Sequence, residues 1–151
     1  MKGVFKPLFE EEKEWRRFKK IALSWVGTPF RNCTAVKGRG ADCTLFIGKV
    51  LEEAGFLTKV DYQFYPRDQH IHAKEEFILE NLYKHMDNYF NENFQLLHLH
   101  GVKLVRGDLL GMVYKNGRTT HAGIYLGEDD LGYKQIVQAW IPSGVISGEL
   151  Y

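Results

Sequence analysis

A thiol, an imidazole and a side-chain amide are spaced along this chain in a way suited to acyl-transfer chemistry. Cys43 follows "GRGAD" and opens a segment whose apolar residues recur at helical spacing. Asp42, immediately before it, is a good N-cap type, with a carboxylate able to accept from the backbone N–H of Thr44 or Leu45. Cys43 thus falls in a first helical turn, where unpaired N–H groups and the helix dipole favour a negative sulfur. The charge of Asp42 opposes that, so activation calls for a neighbouring base. His121, which opens "HAGIYLG", is the best candidate. A hairpin about "EDDLG", with its turn centred between Asp129 and Asp130, sets His121 opposite Gln138. Cross-strand partners stand about 5 Å apart on one face, which suits an amide orienting an imidazole. A slip of one residue would carry Gln138 to the other face.

The chemistry such a set performs is nucleophilic. The imidazole takes the thiol proton and the thiolate attacks a peptide carbonyl. Backbone N–H groups at the helix start, that of Cys43 included, face the developing oxyanion. The imidazolium then protonates the leaving amine, and water hydrolyses the thioester. Each residue taken alone also has an ordinary reading. Cysteine is among the most buried residue types, Asp42 is simply a cap, and a histidine at a strand end is unremarkable. It is their joint placement that points to catalysis.

The elements that must position them follow from periodicity. Residues 9–26 read as a helix, with Phe9, Trp15, Phe18, Ile21, Ala22 and Trp25 near one face and acids leading bases. "GTPF" ends it, with Gly27 able to take the left-handed cap. Residues 31–42 read as a Gly-rich loop, and a second helix runs from about Cys43 to Ala54, closed by Gly55. Residues 58–74 look irregular, and "AKEEFILENLYKHMDNYF" reads as a third helix. After Gln95 the period changes to two. "LLHLHGVKLV", "DLLGMVY", "HAGIYLG" and "YKQIVQAW" read as strands, with "VISGEL" as a further one. Helices first and antiparallel strands after predict a single α+β domain over residues 1–151, its helices packed on one side of a sheet of about five strands.

Composition narrows the function classes. The chain has 151 residues and a net charge of +1, too balanced for the basic face that nucleic acid requires. No apolar run approaches the roughly 18 residues of a membrane span. The charged start "MKGVFKPLFEEEKEWRRFKK" lacks the apolar core of a secretory signal, so the expectation is synthesis in the cytoplasm. Two cysteines, Cys33 and Cys43, are weak grounds for a disulfide in such a chain, and Cys33 reads as a spectator. The pairs His70/His72 and His98/His100 share faces if extended, but no carboxylate partner is specified, so no metal is expected. The "GRGAD" glycines lack the Lys-Ser/Thr of a phosphate loop, and no cofactor is implied.

"WVGTPF", then "GRGADCTLFIGKVLEEAG", then "GD" before a strand, then "HAGIYLG", together resemble the NlpC-type cell-wall peptidases, papain-like cysteine peptidases of bacteria and their phages. The resemblance covers about residues 15–140, and "YPRDQHIH" with "KEEFILENL" is similar to an insertion in the phage or prophage branch, which implies that His70 or His72 lines the cleft. It implies a papain-like fold with Cys43 as nucleophile and His121 as general base. Gln138 stands at the third polar position, most often His in the family and sometimes Asn or Gln. Asp42 and Thr44 match residues that help bind the peptide stem, and Phe30 stands where many relatives carry Tyr. Trp140 shares the strand face of Gln138 and would flank the site. The motif departs from the usual Asp-Cys-Ser-Gly at Thr44 and Leu45, and Gln69 stands where Trp is common.

The activity implied is hydrolysis of the peptidoglycan stem, typically between D-glutamate and a diamino acid, in a phage tail or prophage setting. The partners implied are the stem peptide and phage tail proteins, with no nucleic acid and no membrane. Two other readings share these residues. One is an N-acetylmuramoyl-L-alanine amidase or acyltransferase using the same Cys-His pair. The other is a catalytically impaired tail-assembly or wall-binding module.

Overall fold

The computed structural model describes residues 9–57, 103–113 and 119–150. The expected third helix and the residues Gln69, His70, His72, His98 and His100 lie outside them. Within the described residues the chain is a mixture of helix and antiparallel sheet. The order is α1 (Glu12–Leu23), β1 (Ala35–Val36), β2 (Gly40–Ala41), α2 (Cys43–Glu53), β3 (Leu109–Val113), β4 (Thr119–Glu128), β5 (Lys134–Trp140) and β6 (Gly144–Glu149). β3 to β6 form one sheet in sequence order, all antiparallel, and β1 pairs with β2. The main sheet thus has four strands among the described residues. The described part of "LLHLHGVKLV", residues 103–105, is not strand.

α1 buries Trp15, Phe18 and Ala22, and with Phe9 and Phe56 these make an aromatic cluster at one end of the core. It is shorter than the apolar pattern suggested. It stops at Leu23, and Gly27 at φ +93° turns the chain away, a conformation that costs a side chain strain but glycine nothing. The chain then runs beside the sheet edge. Gly27 N–H donates to Val145 O at 2.9 Å, and Val145 N–H donates to Thr28 O at 2.8 Å. These bonds fix β6, and through it β5, to the end of α1.

The sheet has two faces by the alternation of strand side chains. Ala122, Ile124, Leu126, Val137, Ala139 and Val145 join Leu45, Phe46, Ile47, Val50 and Leu51 of α2 in the main core. Leu110, Tyr125 and Ile136 form a smaller cluster on the other face. His121, Gly123, Gln138 and Trp140 fall on this second face by the same alternation.

One expectation needs correction. The Gly-rich stretch 31–42 contains the short β1–β2 pair instead of being loop throughout. Phe30 makes a parallel bridge to Ala41, with Arg31 N–H on Ala41 O at 3.1 Å and Ala41 N–H on Pro29 O at 2.9 Å. This small three-stranded knot delivers the chain to the start of α2.

Candidate active site

Cys43 is the first residue of α2 and Asp42 is its N-cap. Asp42 Oδ1 accepts from the N–H of Thr44 at 3.1 Å and of Leu45 at 2.8 Å. Oδ2 accepts from the N–H of Cys33 at 2.8 Å. One buried carboxylate therefore starts the helix and pins the preceding loop against it. Asp42 is 3% exposed and Thr44 8%, so little of either reaches the surface that a ligand would touch. Phe30 is half-buried against the main core.

The Cys43 sulfur lies beside the strand that carries His121. Its polar neighbours are Thr44 Oγ1 at 3.8 Å and the backbone N–H groups of Ala122 and of Cys43 itself. Part of Cys43 stays exposed, yet burial of its sulfur is the largest influence on the thiol and the charge of Asp42 is the next. Together they outweigh the three hydrogen bonds and push the thiol up to about 11. Burial and the Asp42 charge thus work against a resting thiolate at the helix start.

His121 Nε2 and Gln138 Oε1 are 2.7 Å apart. An amide oxygen only accepts, so Nε2 carries the proton and Nδ1 the lone pair. That is the tautomer a general base needs, held by a neutral partner. Trp140 meets the same imidazole edge-to-face, with ring centroids 4.8 Å apart and planes at 86°. It is 45% exposed, so the site has an aromatic flank open to solvent.

The register that achieves this differs from expectation. Ile124 pairs with Val137 and Tyr125 with Ile136. Continued outward, this sets His121 opposite Trp140 and Gly123 opposite Gln138, two residues from the expected pairing. The cause is the turn. Asp129 Oδ1 accepts from the N–H of Leu131 and of Tyr133, both at 2.9 Å, and Gly132 closes the turn on Asp129 O. Beside the turn, where Gly127 pairs with Gln135, the shift is three residues, and the bulge between Tyr125 and Gly127 takes one back. A slip of two leaves the face unchanged, so Gln138 reaches His121 along the diagonal. Gly123 leaves that diagonal open. A Cβ there would stand 2.6 Å from Ile136 Cδ1 and 3.2 Å from Val137 O.

The structure therefore brings Gln138 and Trp140 onto His121 and sets the Cys43 sulfur against the N–H of Ala122, the residue after His121. The polar groups at the sulfur include Thr44 Oγ1 and the backbone N–H groups of Ala122 and Cys43. His70 lies outside the described residues. Among those residues no group of three or more His, Cys, Asp or Glu could hold a metal, and no helix is long and apolar enough to cross a membrane. The edge-to-face contact of Trp140 was not foreseen beyond its strand face; it depends on the turn geometry that also shifts the register. No family model matches the chain, and no curated protein matches it at a significant level.

Proposed function

We propose that this chain is a papain-like cysteine peptidase of NlpC type that hydrolyses the peptide stem of peptidoglycan, in a phage or prophage setting. The observation that carries the reading is the 2.7 Å contact of His121 Nε2 with Gln138 Oε1 on the strand against which the Cys43 thiol lies. The contact supports an imidazole held as a base, one residue before Ala122, whose backbone N–H meets the Cys43 thiol. Because that thiol is raised to about 11, the proton moves in the chemical step and not beforehand. His121 Nδ1 removes it as sulfur attacks the γ-glutamyl carbonyl. Such contacts are often loose without substrate and tighten when it binds. The N–H of Cys43 donates to the oxyanion, the imidazolium returns its proton to the leaving amine, and water resolves the thioester.

The raised thiol also favours a second reading, a wall-binding or tail-assembly module that keeps the fold without the activity. One experiment separates the two. Wild-type and Cys43→Ala protein are incubated with purified peptidoglycan, and released fragments are identified by mass spectrometry. Stem cleavage by wild type alone supports the peptidase. Cleavage of the sugar–peptide amide identifies an amidase instead. Equal wall binding by both proteins without products overturns the enzymatic reading.

A further inference from the structure

Cys33 and Cys43 lie just beyond the open end of one short hairpin. Ala35 pairs with Ala41 and Val36 with Gly40. One step outward, Asp42 N–H donates to Thr34 O at 3.0 Å, which continues the ladder beyond its regular strands. The next residues on the two chain segments are Cys33 and Cys43. A disulfide spans Cα separations of roughly 4.4–6.8 Å. The ladder ends there, because Cys43 enters α2 and Cys33 takes φ +53°. Asp42 holds the two ends together in its place, through the 2.8 Å bond from Cys33 N–H to Oδ2. Both residues are thiols and both keep partial exposure.

We propose that Cys33 and Cys43 form a reversible intramolecular disulfide that stores Cys43 in a blocked state under oxidising conditions. The oxidant is a low-molecular-weight disulfide. The Cys33 thiolate attacks one of its sulfurs, forming a mixed disulfide and releasing one thiol. The Cys43 sulfur, losing its proton to solvent as it reacts, then attacks the Cys33 sulfur, forming the internal S–S bond and releasing the second thiol. Two protein thiols are oxidised, one small disulfide is reduced to two thiols, and the two protons go to solvent or to those thiols. Cys33 reacts first because burial and Asp42 hold the Cys43 thiol protonated. The left-handed backbone of Cys33 is a strained conformation for a side-chain-bearing residue, consistent with a cysteine held at this position by its surroundings.

The pairing itself does not depend on the proposed hydrolase activity; only its consequence for activity does. The test treats native wild-type, Cys33→Ser and Cys43→Ser protein with oxidised glutathione, then reads intact mass, peptide maps and iodoacetamide labelling. Wild type is expected to become lighter by two hydrogens, with Cys33 and Cys43 in one linked peptide pair. Both thiols should lose labelling, and dithiothreitol should restore it. Cys43→Ser should stop at a glutathione adduct on Cys33, and Cys33→Ser should react far more slowly. A wild type that stops at adducts, or links only between chains, overturns the proposal. If the bridge forms but the reduced protein releases no wall fragments, the peptidase reading fails and the bridge stands. If fragments are released but no bridge forms, the reverse holds.

Discussion

His121 and Gln138 are joined by a 2.7 Å contact although they are diagonal neighbours on β4 and β5 and not direct partners. The direct partner of His121 in the continued register is Trp140, whose ring it meets edge-to-face with centroids 4.8 Å apart. The imidazole is thus fixed twice, by an amide at one nitrogen and by an indole at its face or edge. The diagonal explains why the side chain must be long. Gln138→Asn is one methylene short of Nε2 and should behave like Gln138→Ala. A hydrogen bond to a group that becomes charged contributes about 1.5–3 kcal/mol, so either variant should lower kcat roughly ten- to a hundredfold. Gln138→His, which restores a ring acceptor, should recover part of the loss. Release of stem fragments by the four proteins at matched concentration checks this. Equal rates for Gln138→Ala and wild type would remove Gln138 from the site.

Gly123 offers an independent test of the same diagonal. A Cβ there meets the end of Ile136 and the Val137 carbonyl at 2.6 and 3.2 Å. Ile136 can give way, whereas the β5 backbone yields only by moving the strand that carries Gln138. Gly123→Ala is expected to cost about 1–3 kcal/mol, as overpacking does, and to reduce kcat more than KM. Urea titration together with steady-state rates gives both numbers. A variant as stable and as active as wild type would show that the lane across Gly123 is not needed.

How far the sequence disclosed this site varies with the range of the forces involved. The start of α2 was legible because the N-cap is local: Asp42 bonds Thr44 and Leu45 as its type and position predict. The face shared by His121 and Gln138 was legible because strand period is two, and parity survives a slip of two. The register itself was not, since Asp129 builds a wider turn with its own carboxylate and a bulge follows Tyr125. The β1–β2 pair was missed because two-residue strands show no periodicity; they are held by Pro29, Phe30 and Arg31 through backbone bonds. The sequence leaves the state of the Cys43 thiol open for a related reason. Dipole and N–H groups are read from position in a helix, but burial of the sulfur arises from tertiary packing.

Asp42 links the fold to the chemistry, and two substitutions separate its roles. Asp42→Ala removes the cap and leaves the N–H groups of Cys33, Thr44 and Leu45 without their carboxylate. A loss of about 2 kcal/mol or more is expected in urea titration. Asp42→Asn keeps an acceptor at the cap and should cost less. It also removes the negative charge that raises the Cys43 thiol. The midpoint of iodoacetamide labelling at Cys43 should therefore fall below that of wild type. A midpoint unmoved by Asp42→Asn would assign the raised thiol to burial alone.

Trp140 is exposed enough to be replaced without damage to the core. Trp140→Ala removes one aromatic contact, so stability should change by about 1 kcal/mol, while the imidazole loses its edge-to-face neighbour. The expected result is a several-fold drop in stem cleavage with a nearly unchanged melting temperature, and recovery in Trp140→Phe. If Trp140→Ala unfolds at much lower temperature instead, the indole belongs to the structure and not to the site.

The raised thiol carries a signature in stability against pH. Its value in the folded chain is about 11 against an ordinary value of 9. Between these the unfolded chain releases the proton and the folded chain keeps it, so the folded state binds more protons and stability falls as pH rises. The contribution is fully present below pH 9 and is lost as pH climbs through 11. A shift of this size corresponds to on the order of 2 kcal/mol. Cys43→Ser lacks the titration, and the difference between wild type and this variant isolates it from the tyrosines and lysines that titrate in the same range. Urea midpoints measured from pH 8 to 11 should converge as pH rises, with wild type losing the extra stability. Parallel curves would mean that Cys43 titrates like an exposed thiol, and the raised value assigned to it would then be wrong.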